Sequence, residues 1–319
     1  MNKAFECQPI YIVGPTGSGK SALAMKLAEI IDGVIISADS MQIYRTLDIG
    51  TAKESAENRK KVQHEMIDIV DVDSEYSVAE YSVEARRCIE NAINNKKFPI
   101  VVGGTGLYFE SLFYPMSFGN TNKDDKVRSD LEKELADNGA EFMHRRLEGI
   151  DKETADKLHV NDTRRVIRAL EIAICGGKTK SELQDERKNP DVIAVGLNTD
   201  RAELYGRIDK RVEMMFKEGL VNEVYSVGSF DYQSMKAIGY KEFADFKPNI
   251  MDGKYVLDDE SEELVKATIQ KNTRNYAKRQ LTWFRRYDFI KWFDLYNIDG
   301  AIDYILAEIK TNAKSITNC

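Results

Sequence analysis

Apolar and polar positions divide the chain into a sheet-forming part and a helical part. Ile10 to Val13 is a short unbroken apolar run bounded by glycine, the pattern of a strand buried on both faces. Leu23, Leu27, Ile30 and Ile31 then recur on one side of a helix over residues 21–31, which Asp32-Gly33 closes. A second buried strand follows at Val34 to Ser37. Strand, glycine loop, helix and strand make a βαβ unit, which predicts a parallel sheet. Ser77-Val78-Ala79-Glu80 reads as a capping box for a helix running to Asn94, and Phe98 to Val102 is a third strand ending in Gly103-Gly104. Two polar, breaker-rich stretches, 115–126 and 175–191, bracket residues 127–174, whose pattern is helical throughout. Strand character returns at Val192 to Leu197. The expected architecture is an α/β core in two segments, 1–114 and 191–319, with an all-helical insertion at 115–190.

Composition narrows the class. A chain of 319 residues is long enough for two such units. No stretch approaches the ~18 to 20 apolar residues of a membrane span. The N-terminal sequence lacks a signal-peptide layout, because its apolar strand leads straight into the glycine loop. A cytoplasmic protein with no membrane partner is expected. Four cysteines, Cys7, Cys88, Cys175 and Cys319, lie far apart without a C-x-x-C pair, and there are three histidines; both counts argue against a disulfide scaffold or a zinc site. The net charge of −7 counts weakly against a nucleic-acid partner. Its distribution says more: acids crowd 251–263, whereas 271–286 carries Lys271, Arg274, Lys278, Arg279, Arg285 and Arg286 with no acid.

The chemistry begins at Gly14-Pro15-Thr16-Gly17-Ser18-Gly19-Lys20-Ser21, a full match to G-x-x-x-x-G-K-[ST]. In such a loop backbone N–H groups converge on phosphate oxygens at a helix N-terminus. Lys20 adds a point charge, and the Ser21 hydroxyl is a ligand for Mg²⁺. The motif specifies a phosphate and leaves the rest of the ligand open. Strand ends in a parallel sheet face the ligand crevice, so Asp39 and Thr105, just past the second and third strands, should approach the cradle. From position alone Asp39 stays open between a Mg²⁺ carboxylate, a general base and a helix cap on Ser40-Met41.

The stretch DSMQIYRTLDIGTAK (39–53), following GPTGSGKS, resembles the tRNA dimethylallyltransferase (isopentenyltransferase) family. The likeness continues through HEMIDIVD (64–71), YSVAEY (76–81), GGTGLYF (103–109), HVNDTRRVIRALEI (159–172), LYGRIDKRVEMMFKEGLVNEV (204–224), KAIGYKEF (236–243) and TRNYAKRQLTWFRR (273–286). The resemblance implies a P-loop NTPase-like α/β core whose helical insertion grips the anticodon arm. It implies transfer of a dimethylallyl group from dimethylallyl diphosphate to N6 of the adenine at position 37 of tRNA, with Mg²⁺ as cofactor and the enzyme a monomer. Asp39 is then the general base, Thr105 lies in the same channel, and Arg211, favoured over Arg207, meets the diphosphate held by Gly14 to Ser21, with Arg207 as a further binding residue. Ser40, Met41 and Gln42 join Asp39 and Thr105 at the flipped base. Arg128, Arg164, Arg165, Arg168, Lys278, Arg279 and Arg285 are the remaining tRNA contacts. Trp283 and Phe284 are expected to anchor their helix, and His64 to be structural.

The chain departs from some relatives in having Val160 where they have proline and Arg164 where they have glutamine, which puts that base contact in doubt. It shows no sign of the zinc finger of eukaryotic relatives, so the bacterial type is indicated. Three other readings compete. A P-loop kinase leaves the arginine clusters unexplained, and a prenyltransferase of free adenine nucleotides lacks the insertion. A silent RNA-binding protein would not need an intact loop, Asp39 and Thr105.

Overall fold

The computed structural model describes residues 7–114, 125–176, 179–185 and 189–317. Residues 1–6, 318–319 and parts of the two breaker-rich stretches (115–124, 177–178 and 186–188) lie outside the described residues. The chain forms two compact units, Met1–Leu112 with Asp191–Cys319, and Phe113–Pro190.

The first unit is built on a six-stranded parallel sheet. Its strands are β1 (Ile10–Val13), β2 (Gly33–Ala38), β3 (His64–Glu65), β4 (Phe98–Gly103), β5 (Ile193–Asn198) and, after the short antiparallel hairpin β6 (Asn249–Met251) and β7 (Lys254–Val256), β8 (Lys291–Asp294). They lie in the order β3-β2-β4-β1-β5-β8. β1 is central, with Ile12 level with Val102 on one side and Val195 on the other, which is why all four of its residues are apolar and buried. The hydrophobic pattern foretells β1, β2, β4 and β5. It misses β3 and β8, two short, partly exposed edge strands that carry no apolar run.

Helices cover the sheet. On α1 (Lys20–Ile31) the buried stripe is Leu23, Ala24, Leu27 and Ala28; Ile30, expected on that side, is 52% exposed. That stripe meets Ile10, Ile12, Ile35 and Ile100, together with Ala301, Ile302 and Ile305 of α13 (Ile298–Thr317). After the short α2 (Ala56–Lys61), α3 (Val78–Asn94) opens with the capping box in full: Glu80 N–H donates to Ser77 Oγ at 3.2 Å, and Ser77 N–H to Glu80 Oε2 at 2.8 Å. α4 (Gly106–Phe113) leads out of β4.

The second unit is all helix: α5 (Asp125–Asn138), α6 (Ala140–Ile150), α7 (Lys152–Lys157), α8 (Thr163–Gly176) and α9 (Lys180–Asp185). Leu131, Met143, Leu147, Val166 and Leu170 form its core. The continuous helical pattern is broken at Gly139, at Asp151 and over 158–162. Asp151 makes its break useful. Its carboxylate accepts the Thr154 N–H at 3.0 Å as a cap and the Ser181 hydroxyl at 2.7 Å, tying α9 to α7.

Back in the first unit, α10 (Arg201–Glu218), α11 (Leu220–Ser226) and the 26-residue α12 (Asp259–Phe284) complete the chain. Val212, Met215, Val221, Tyr240, Phe243 and Ile269 pack with Ile43, Tyr44 and Leu47, forming a second core beneath residues 41–76.

Candidate active site

Three strand ends meet at one cavity of about 420 Å³ inside the first unit: the phosphate loop after β1, Asp39 after β2, and Gly103-Gly104 after β4. The loop needs its first glycine for space as well as conformation. Gly14 has φ 147°, and a Cβ there would stand 2.4 Å from the Leu197 carbonyl of β5. Thr16, Lys20 and Ser21 line the cavity, and Lys20 Nζ donates to the Pro15 carbonyl at 2.7 Å. The Ser18 hydroxyl is fully buried in the loop and has no hydrogen-bond partner among the described residues.

The arginine alternatives separate cleanly. Both sit on α10, one turn apart, but only Arg211 lines the cavity. Burial and the nearby Arg211 charge bring the Lys20 ammonium down to about 7, with Asp39 opposing them. Burial also lowers Arg211, again opposed by Asp39. Two cations pressed together beside one carboxylate form a site whose charge an anion would balance. Arg207 is exposed and donates from Nε to the Gly17 carbonyl at 2.8 Å, bracing the loop and standing outside the cavity lining.

Asp39 caps no helix. Its Oδ1 accepts the Met41 N–H at 2.9 Å within a turn, so the helix-cap reading of Ser40-Met41 gives way to a turn that directs the chain along the cavity. Ser40, Met41 and Gln42 all line the cavity, and Gln42 Oε1 accepts the Ser37 hydroxyl at 2.9 Å. Thr105 stands one step back. Its hydroxyl oxygen accepts the Ser40 N–H at 3.0 Å, so it holds Ser40 in place from behind. His64 lines the cavity while its Nδ1–H donates to the Val62 carbonyl at 2.8 Å; burial pulls its pKa down.

The basic residues fall into two groups. On α12, Arg279 lines the cavity with its guanidinium 5.6 Å over the Tyr276 ring, while Lys278 and Arg285 are exposed. Phe284 is fully buried, edge-on to Phe109 at 5.4 Å, and Arg286 lies 4.1 Å over Trp283. In the helical unit Arg164 is exposed, Arg165 pairs with Asp162 at 3.2 Å, and Arg168 pairs with the buried Glu171 at 2.7 Å. Arg128 pairs with Glu132 at 3.0 Å.

The sequence reading missed residues that hold the site together. Gln280 of α12 is 5% exposed and touches both loops. It accepts the Thr16 N–H at 2.9 Å and donates to the Gly104 carbonyl at 2.9 Å. Its signal was a polar residue sharing the buried stripe of Ala277 and Phe284 at spacings of three and four. Glu223 of α11 accepts the N–H groups of Asp48, Ile49 and Gly50 and the Tyr240 hydroxyl, all within 2.9 Å, and so fixes another wall. Only its place in the 204–224 block marks it. Among the described residues no cluster of three His, Cys, Asp or Glu could hold a metal, and no helix is long and apolar enough to cross a membrane.

The sequence profile of the IPP transferase family matches residues 42–287. The chain belongs to that family. A tRNA dimethylallyltransferase of Bacillus cytotoxicus is 44% identical over 90% of this chain and 90% of its own length, and one of Clostridioides difficile is 41% identical over 96% and 98%. Among solved structures, the full-length tRNA isopentenylpyrophosphate transferase of Bacillus halodurans superposes with a TM-score of 0.70 at 36% identity, covering 98% of this chain and 100% of that one. A eukaryotic dimethylallyltransferase described as acting on tRNA gives 0.76 at 30% identity, covering 91% and 74%. For this IPP transferase, the matches favour a prenyltransferase reading of the phosphate loop over the kinase alternative.

Proposed function

We propose that this protein transfers a dimethylallyl group from dimethylallyl diphosphate to N6 of the adenine at position 37 of tRNA, releasing diphosphate. The observation that carries the reading is the meeting of Lys20, Arg211 and Asp39 at one cavity in a chain of this family.

The phosphate loop and its two cations receive the diphosphate, and their preorganised charge stabilises the leaving group as the allylic C–O bond breaks. Ser21 lines the same cavity as Asp39. The Ser21 hydroxyl suits Mg²⁺, which binds through one or two protein oxygens and the substrate phosphates. Bound there, the ion supplies further charge neutralisation for the diphosphate.

The exocyclic amine of adenine is a poor nucleophile, because its lone pair is delocalised into the ring. Asp39 accepts its proton as the C–N bond forms. The turn through Ser40 to Gln42, backed by Thr105, is placed to receive the extruded base. Val212, Met215 and Ile269 supply apolar wall against which the five-carbon group is kept from water. The helical unit is the grip on the anticodon arm, with Arg164, Arg165 and Arg168 meeting its phosphates.

The test is incubation with Mg²⁺, labelled dimethylallyl diphosphate and unmodified tRNA. Label should enter the tRNA and be lost in Asp39→Ala, whereas ATP turnover without label transfer would sink the reading.

A further inference from the structure

Gln280 is the most unusual polar residue near the cavity. It sits near the C-terminal end of α12, on the face that carries Ala277 and Phe284 into the core, and is nine-tenths buried or more. Its planar amide spans two loops from different strands. One end accepts from Thr16 of the phosphate loop, and the other donates to Gly104 at the end of β4. Gly104 has no room for a side chain, since a Cβ there would lie 2.1 Å from Gln280 Nε2. Gly104 precedes Thr105, which holds Ser40 beside Asp39. Tyr276, one helical turn earlier, lines the cavity with its hydroxyl beside Thr105 and Gln280.

We propose that Gln280 is a positioning residue that locks the diphosphate cradle in register with the strand end that organises the acceptor side. The proposal rests on the transferase reading, because only a two-substrate reaction needs those two loops at a fixed separation. Chemistry dictates the residue type. The position needs an acceptor and a donor on one rigid head; glutamate lacks the donor, lysine and arginine lack the acceptor, and asparagine is a methylene short. Without the bridge, a half-buried N–H and a buried carbonyl lose their partners, and the phosphate loop loses its tether to β4.

Two variants test this, with inorganic diphosphate as the probe. Gln280→Leu keeps the volume but removes both bonds. It should weaken diphosphate binding about tenfold and lower kcat, with tRNA affinity within about twofold of wild type. Gln280→Glu keeps the Thr16 acceptor but sets a carboxylate against the Gly104 carbonyl and near the bound anion. Its diphosphate affinity, taken as a ratio to wild type at each pH to cancel the titration of Lys20, should recover as pH falls and the carboxyl gains a proton. That recovery is one a merely structural role would not produce, and it decides the matter if Gln280→Leu fails to fold. A loss confined to tRNA binding, or unchanged diphosphate affinity with no pH recovery, overturns the proposal. Absence of label transfer by the wild-type protein would instead overturn the transferase reading, while the diphosphate titration still reports on the bridge.

Discussion

Two loops wall the same cavity and are held by different means. The phosphate loop, 14–21, takes its turns from its own span and flanks, with Arg207 and Gln280 bracing it from outside. Glycines adopt the left-handed turns at Gly17 and Gly19, Lys20 reaches back five residues to Pro15, and a helix starts directly after it. Residues 39–71 are held by charged side chains that reach across the segment, and by Glu223 from outside it. Thr46, Ala52, Met66 and Asp68 all take positive φ without being glycine, a strain that needs such support. Lys53 provides part of it. Its side chain is 2% exposed, and its ammonium donates to the Tyr44 carbonyl at 2.6 Å, Asp48 at 2.7 Å and Asp68 at 2.5 Å. Arg59 adds a second bond to Asp68 at 2.6 Å, and Glu223 clamps residues 48–50 from α11. Cations therefore do opposite jobs in the two loops: Lys53 is neutralised and structural, and Lys20 is held against another cation.

Stability should expose that difference first. Lys53→Met leaves Asp68 partly buried with one bond fewer, and breaking such a pair costs about 3 kcal/mol or more. Burial pushes the Asp68 carboxyl up, but the bonds from Lys53 and Arg59 outweigh it and hold its pKa below the usual value; removing Lys53 lifts it. Lys20→Met should cost no stability near pH 6, because it removes a charge that burial and Arg211 disfavour. Denaturant midpoints of the two variants measure the contrast. Equal losses would mean that Lys53 is not what holds its loop.

The same division explains what could be read in advance. The buried strands, the phosphate loop and the capping box at Ser77 each depend on residues within about eight positions of one another, so their order reveals them. Asp39 was legible as a strand-end carboxylate, though its turn at Met41 was not. Glu223 and Gln280 act on partners 173 and 264 residues away, at Gly50 and Thr16, and no local spacing encodes that. Residues 204–224 were legible only as a family block. Which of Arg207 and Arg211 enters the cavity depends on how α10 lies against the loop, a matter of packing by Leu204 and Ile208 against Ala277.

That arginine pair sharpens the contrast between organising a loop and meeting its ligand. Arg211→Ala removes a preorganised cation from the cavity and should lower kcat/KM about 100-fold. Arg207→Ala removes an exposed brace on Gly17 and should cost roughly threefold to tenfold, chiefly through looser diphosphate binding. Steady-state kinetics of both variants, with dimethylallyl diphosphate varied, would show it. A larger loss at Arg207 would reverse the assignment.

The smallest effect is a proton. Lys20 in the protein titrates at about 7, against an ordinary lysine value of 10.5. Its folded pKa is depressed, so the unfolded chain binds more protons between those values. Stability from this group therefore rises with pH across that window and is lost as pH falls through 7. Diphosphate binding runs the other way, because an anion in the cradle favours the charged ammonium. At pH 8 Lys20 is about nine-tenths neutral, so binding should take up close to one proton, falling toward half at pH 7. Calorimetric titrations with inorganic diphosphate, in two buffers of different ionisation enthalpy, measure the uptake. Arg211→Ala relieves the repulsion and should reduce it, and Lys20→Met should abolish it. Uptake that persists without Lys20 would place the titrating group elsewhere, with His64, also on the cavity wall and with a lowered pKa, the next to replace.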